Sequence, residues 1–525
     1  MKRKKITALI IAAATVLSVA GCGNNKETQV KDDNAPLTYW VDMDRSLASR
    51  VQTMGETPFY KEAEKRTGVK IEFVHPPLGQ AGEQFSLMVA SQAMYDFVEY
   101  DWFKYSGGPS KAIEDGVIMD LTSYIDKDAP NFKKITSKGE YADIYRRGSL
   151  TDDGKYFAFP TLNTGKYRTF GGLIIRKDWL DELGLAVPET IDEWTTVLRA
   201  FKEKKGAAAP LTGLSGYFLV GGNAFNGAYG IGKGLYLDGK KVKFGVLQPE
   251  FKEYVKQMNL WYKEGLLDRG FATTDKKIIA SNMTKGKSGA AIAFIGSQMG
   301  NYLSQMQEDK SYNLVAAPYP SPKKGEKSKF GAMEQDVPPN YLAISAKCTQ
   351  PDKAVKWADF WYGDDGYMLL NFGIEGESYT MKDNKPVYTD KILHNDEGMN
   401  LSEALGMYTR ATGPAPGINQ APEYLEQYYR FPQQVEAFRL WSETTDVARK
   451  SEIPASIMPT ADESEEYAAL EADINTYCEE MVLKFIIGEE SIDKFDSFVE
   501  SLKTQFNVKR YIEIKQNAYN RYLKR

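Results

Sequence analysis

LTYWV (37–41), PFYKEAEKR (58–66), VKIEFV (69–74), QFSLMVASQ (84–92) and DFVEYDW (96–102) follow one another in a single short stretch, and their alternation decides the fold class. The first, third and fifth runs are short, apolar and rich in aromatic and β-branched residues, as strands are. Between them lie two segments with helical spacing. The first has Pro58 at its opening position and Gly68 just past its end, which is where a helix takes those residues. A strand–helix–strand–helix–strand order predicts a parallel sheet joined by crossover helices. In such sheets ligands bind beyond the carboxyl ends of the strands. Two of these ends pair an aromatic with an acid, Trp40 with Asp42 and Asp101 with Trp102, so these four are candidate ligand contacts.

The alternation continues outward. TDDGKYFAFP (151–160) reads as a turn leading into a strand, and GGLIIR (171–176) as another strand. Helices are expected over 178–183 and 190–204, the second opened by a Thr190-x-x-Glu193 capping box. Residues 212–245 hold ten glycines and the hairpin-like LYLDGKKVKF, whose Asp238-Gly239 suits a tight turn. A helix over 251–265, strands over 290–295 and 338–345, and a helix over 351–362 follow. The last stretch is helical, over about 463–486, 491–506 and 509–524. Trp179, Trp194, Trp261 and Trp357 lie among apolar residues at helical spacing and are assigned to the core. Cys348 and Cys478 are read as two separate buried thiols in preference to a bridge.

Composition narrows the function. The chain has 525 residues, a formal charge of −5, two His and three Cys. That length allows about three domains or two large ones. The charge gives no footprint for nucleic acid. Three Cys make neither a disulfide framework nor a four-ligand zinc site. His75 and His394 leave few ways to build a triad or a metal centre. No cofactor or metal is expected. Three motif fragments fail on spacing. Gly286-Lys287-Ser288 has Ser281 where a phosphate-binding loop needs Gly, the Gly230/Gly232/Gly234 run lacks the dinucleotide spacing, and Gly213-Leu214-Ser215-Gly216 is followed by Tyr217 in place of the elbow glycine. Glu375, Glu377 and Tyr379 suit a ligand loop or a structural turn equally.

The amino terminus, MKRKKITALIIAAATVLSVAGC, has a basic cluster at residues 2–5 and a 15-residue apolar run over 6–20. The run falls short of the ~20 residues that span a bilayer, so 1–21 reads as a signal peptide. Its end, Val19-Ala20-Gly21-Cys22, resembles a bacterial lipobox, which implies lipidation of Cys22 after cleavage before it. Loss of the four basic residues would take the charge from −5 to −9. Residues 22–35 then form the lipid anchor and a polar tether with a reach of roughly 20 Å.

Several tracts resemble the extracellular solute-binding proteins (family 1) of bacterial ABC importers, in particular the large lipid-anchored Gram-positive subgroup. They are GKYFAFP (154–160), GGLIIRKDWLDELGL (171–185), VPETIDEW (187–194), WYKEGLL (261–267), IEGESYT (374–380), DINTY (473–477) and KFIIGEESIDKFDSF (484–498). The resemblance implies an α/β, two-lobe periplasmic-binding-protein fold of the second type with a C-terminal helical segment. Lobe one takes 36–167 plus 333–395, lobe two takes 168–332 plus 396–462, and 463–525 packs on the lobes. It implies a monomeric receptor, not an enzyme, held on the extracellular face of the cell membrane by its lipid. Hinge closure over a solute and delivery to the membrane permease follow from the same resemblance. At the expected crossovers Tyr167, Arg168, Asn340 and Tyr341 join the candidate contacts, and Gln298 joins them after the 290–295 strand. Aromatic faces with acids, amides and Arg point to a carbohydrate, an oligosaccharide in particular. The alternatives are a peptide or other polar nutrient, and a surface glycoside hydrolase.

Overall fold

The structure, a computed structural model, describes residues 35–163, 168–219, 224–232 and 234–525. The signal peptide, Cys22 and nearly all of the tether lie outside the described residues, as does Tyr167. Pro36–Arg525 forms one compact unit. Among the described residues no helix is long and apolar enough to cross a membrane.

The strands are β1 Leu37–Trp40, β2 Ile71–Val74, β3 Phe97–Tyr100, β4 Phe159–Asn163, β5 Gly171–Arg176, β6 Leu211–Thr212 and β7 Leu235–Asp238. They continue with β8 Lys241–Phe244, β9 Ala290–Phe294, β10 Leu314–Ala317, β11 Tyr341–Ile344, β12 Tyr379–Lys382, β13 Lys385–Tyr388 and β14 Gly417–Asn419. A six-stranded sheet has the order β14-β4-β11-β3-β1-β2 and a four-stranded sheet the order β10-β5-β9-β6. The opening unit forms as its pattern predicts. β1 lies parallel to both β2 and β3, with Tyr39 opposite Phe97 and Trp40 opposite Val98. The helix Pro58–Thr67 begins under a Thr57 cap and stops at Gly68, whose φ of 68° is open to glycine at little cost. β11 runs antiparallel between β3 and β4, and β14 runs parallel to β4 at the edge. β14 lies in the part of the chain that the sequence reading gave to the second lobe, yet it pairs with the first sheet.

The second sheet explains the unbroken apolar run GGLIIR. Leu173 and Ile175 face one core while Ile174 faces another, so both faces are covered. The first of these cores contains Trp194, Phe201 and Trp261, and it is completed by Ile474, Cys478, Phe485, Phe498 and Ile514 from the C-terminal helices. Those helices, Ala461–Ile487, Phe495–Thr504 and Val508–Tyr522, are therefore part of the core of the second sheet. The opposite face is covered by the helix Pro432–Ser442, through Ala437, Phe438 and Trp441. Trp441 Nε1 donates to Ala317 O at 2.7 Å, and Gly172 leaves room for the indole, because a Cβ there would lie 2.5 Å from Trp441 Cε2.

The connections from β4 to β5 and from β10 to β11 run between the sheets along adjacent paths. Asn163 N donates to Asp336 O at 3.0 Å, Asn163 Nδ2 to Gln335 O at 2.8 Å, and Glu334 N to Arg168 O at 2.6 Å. Trp179, Trp194, Trp261 and Trp357 are buried as expected. Cys348 and Cys478 are both buried. The IEGESY tract is a turn, in which Ser378 Oγ accepts from Ile374 N and donates to Phe372 O, each at 2.7 Å, while Glu375 and Glu377 point to solvent.

Candidate ligand-binding site

A cavity of about 250 Å³ opens where the strand ends of the two sheets meet. Asn163 closes β4, Gln420 follows β14, and Phe294 closes β9. The crossovers contribute Arg168, Thr169, Phe170 and Glu334, and the helix Pro422–Tyr428 with the residue after it contributes Tyr424, Leu425, Tyr428 and Tyr429. A second hollow of about 240 Å³ shares Gly296 and Tyr428 with the first and adds Asn301, Asn400, Arg430 and Gln434. The two are parts of one groove.

Two aromatic walls face it. Phe170 and Phe294 lie 5.6 Å apart between ring centroids on one side. Tyr424 and Tyr428 lie 5.7 Å apart on the other, with Tyr429 5.8 Å further along. Tyr424 and Tyr428 are four apart on one short helix, so they project from the same face. Opposite them the chain leaves β9 in a π-helical turn, Ile295–Met299. Gln298 spans this turn, accepting from Phe294 N at 3.0 Å and donating to Tyr302 Oη at 3.3 Å. Gly296 lets the Tyr428 ring come close, since a Cβ there would lie 3.1 Å from it. Gln420 has φ 55°, a conformation side chains other than Gly, Asn and Asp seldom adopt. Such strain concentrates at ligand sites.

The polar groups are arranged around the crossovers. Arg168 is 4% exposed and sits 2.5 Å from Asp336 Oδ1, which also lies 3.5 Å from Arg449 Nε. Arg168 Nε and Nη2 have no hydrogen-bond partner among the described residues. Burial raises the pKa of both Glu334 and Asp336 from their ordinary values, with Arg168 opposing the shift in each.

Of the nine residues nominated from the sequence, Arg168 lines the cavity. Trp40 is buried in the first core against Phe85 and Tyr100, at 6.3 and 6.0 Å. Trp102 is fully buried, with Nε1 donating to Val98 O at 3.2 Å. Asp101 caps the turn Trp102–Lys104 by accepting from Phe103 N at 3.2 Å. Asp42 is exposed beside β1. Gln298 is spent on its own turn. Tyr341 is buried between Phe103 and Phe157, at 5.4 and 5.0 Å. Asn340 donates to Glu99 Oε1 at 3.0 Å and Thr161 Oγ1 at 3.1 Å. It belongs to a buried cluster in which Glu99 also accepts from Tyr39 and, at 3.2 Å, from Arg410 Nη2. Arg410 in turn meets Tyr60 Oη at 2.6 Å and Pro414 O at 3.1 Å, which ties the loop carrying Thr412 to the sheet. Most of the nominated groups thus hold up the site or the fold. The sequence reading passed over Glu334, Gln420 and the tyrosines. The available signal was EYLEQYYRF (423–431), four aromatics in nine residues with two of them four apart.

The family described as bacterial extracellular solute-binding protein matches residues 55–368. Lipoprotein LipO of Bacillus subtilis (strain 168) is 26% identical, over 95% of each chain. The fructooligosaccharide ABC transporter substrate-binding protein FusA of Streptococcus pneumoniae serotype 4 is 24% identical, over 98% of this chain and 97% of that one. The crystal structure of the alginate-binding protein AlgQ2 superposes with a TM-score of 0.68 at 25% identity, covering 94% of this chain and all of that one.

Proposed function

Since this chain belongs to the bacterial extracellular solute-binding protein family, a non-catalytic component of ABC importers, we propose that its solute is an oligosaccharide, bound in the groove between the two sheets. The observation that carries this reading is the pair of aromatic walls with buried polar groups between them. A sugar ring offers an apolar face to aromatic rings and hydroxyls to carboxylates, amides and guanidinium groups. The two hollows joined at Gly296 and Tyr428 suit more than one sugar unit. FusA and AlgQ2, by their names, bind fructooligosaccharide and alginate.

Phe170 and Phe294 extend from the second sheet and its crossover, whereas Asn163 and Gln420 extend from the first. A ligand meets all of them at once only when the lobes close, so binding favours the closed form by that difference in contact. The closed form is the one presented to the permease. In this reading lipidated Cys22 keeps the protein at the extracellular face of the membrane. The first sheet with its helices makes one lobe, and the second sheet with the C-terminal helices makes the other.

A thermal-shift screen of glycans, amino acids and peptides, followed by calorimetry and small-angle scattering, tests the reading. Glycans are expected to raise Tm and to reduce the radius of gyration. Tyr428→Ala and Phe294→Ala are each expected to weaken binding by about 1–2 kcal/mol, roughly 5- to 30-fold, with little change in Tm. Stabilisation by peptides and by no glycan would reject the carbohydrate; turnover of a glycan would reject the transport role.

A further inference from the structure

Relatives of this chain are named for both neutral and acidic saccharides, so similarity does not decide which of the two this groove takes. The charges lining it do. Arg168 and Glu334 line its inner wall, and Asp336 and Arg449, which line a neighbouring hollow, stand behind Arg168. Asp336 sits between the two arginines, 2.5 Å from one and 3.5 Å from the other. Glu334 lines the cavity itself, and among the described residues no cation lies within ion-pair distance of its carboxylate. Asp446 lies 3.9 Å from Arg449 as well, so two cations and three anions leave the cluster with no positive excess before a ligand arrives.

Resting on the saccharide reading above, we propose that Glu334 makes the inner groove selective for uncharged saccharides over uronates. A hydroxyl both donates and accepts, so one sugar hydroxyl can donate a hydrogen bond to Glu334 while its oxygen accepts an N–H from Arg168, whose Nε and Nη2 are without partners among the described residues. A uronate carboxylate only accepts. It satisfies Arg168, whose charge Asp336 already offsets, but it gives Glu334 nothing and faces it as a like charge. It also brings one uncompensated negative charge beside the Arg168–Asp336 pair, whose side chains are 3% and 11% exposed, and low dielectric there makes that charge costly. Arg430, the cation of the outer hollow, is exposed. Solvent screens it, so it does not reverse the balance at the inner wall.

The experiment uses the full chain and matched probes, galactotriose against trigalacturonate and mannotriose against trimannuronate, with kestose as a further neutral probe, all by calorimetry at low and physiological salt. At least one neutral probe is expected to bind, at least tenfold more tightly than its uronate counterpart. Glu334→Gln, which keeps the shape and removes the charge, is expected to narrow that ratio to within about threefold by strengthening uronate binding. Glu334→Asp is expected to preserve the discrimination. A merely structural role for Glu334 would weaken both classes alike and leave the ratio in place, which overturns the proposal. A uronate that binds the unaltered protein as tightly as its neutral partner overturns it as well. Binding of no saccharide of either class overturns the saccharide reading itself, a result distinct from the other two.

Discussion

His75 shows how much chemistry a single position absorbs in service of the fold. Its Nε2 accepts from Met54 N at 3.2 Å, so the proton sits on Nδ1, which donates to Val41 O at 2.9 Å. Burial, the largest cause, lowers its pKa below the usual value. The folded state therefore binds a proton less readily than the unfolded chain does. The contribution to stability is complete above the unfolded pKa of about 6.5 and is lost as pH falls from there towards the folded value. Melting at pH 7.5 and pH 5 is expected to show a smaller drop in Tm for His75→Gln than for the unaltered protein. Scarcity of histidine was legible in the sequence, but this tautomer was not. Trp40 and Asp101 make the same point. Both stand at strand ends as their spacing says, yet one indole is enclosed in the core and one carboxylate is used as a cap. Residue type names what a side chain can do, and packing decides whether a ligand can reach it.

At the scale of elements, local rules succeeded where their information is local. Pro58 and Gly68 bound a helix, Thr190 Oγ1 caps Glu193 N at 3.3 Å, and Asp238-Gly239 closes the β7–β8 hairpin with Gly239 at φ 63°. The Glu193 carboxylate departs from the reciprocal box, accepting from Glu189 N at 2.8 Å and pairing with Lys324. Thr190→Ala is expected to cost about 1 kcal/mol in denaturant unfolding. The helix Pro432–Ser442 was not read from the sequence, although it covers a whole face of the second sheet. Its seat depends on Gly172, so Gly172→Ala is expected to destabilise by about 1–3 kcal/mol through overpacking against Trp441. Urea titration with an unchanged slope would separate that effect from a change of fold.

Over the whole molecule, the last helix links regions far apart in sequence. Its inner face, with Tyr511 and Ile514, lies in the core of the second sheet, while Arg521 and Arg525 grip Asp152 at 2.7 Å each, in the turn that leads into β4 of the first. Arg525 also donates to Arg147 O at 3.1 Å, and its own carbonyl accepts from Arg146 Nη1 at 2.7 Å. Asp152→Ala leaves the Arg525 side chain, 3% exposed, without its carboxylate, and is expected to lower stability by about 1–3 kcal/mol in thermal or denaturant melts. The sequence by itself determined the α/β class, the parallel opening unit, the tryptophan cores, the helical ending and the resemblance to solute-binding proteins. The resemblance rests on the quoted tracts, and the others rest on short-range periodicity, capping and composition. Only the tertiary structure decided that β14 joins the first sheet, that the C-terminal helices complete the core of the second, and that Asn163, Arg168, Phe294, Glu334 and Tyr428 share one groove. Those positions span more than 260 residues, and nothing in a local pattern specifies which distant strand ends will meet. That is settled when whole sheets bury their faces and the crossovers between them pair.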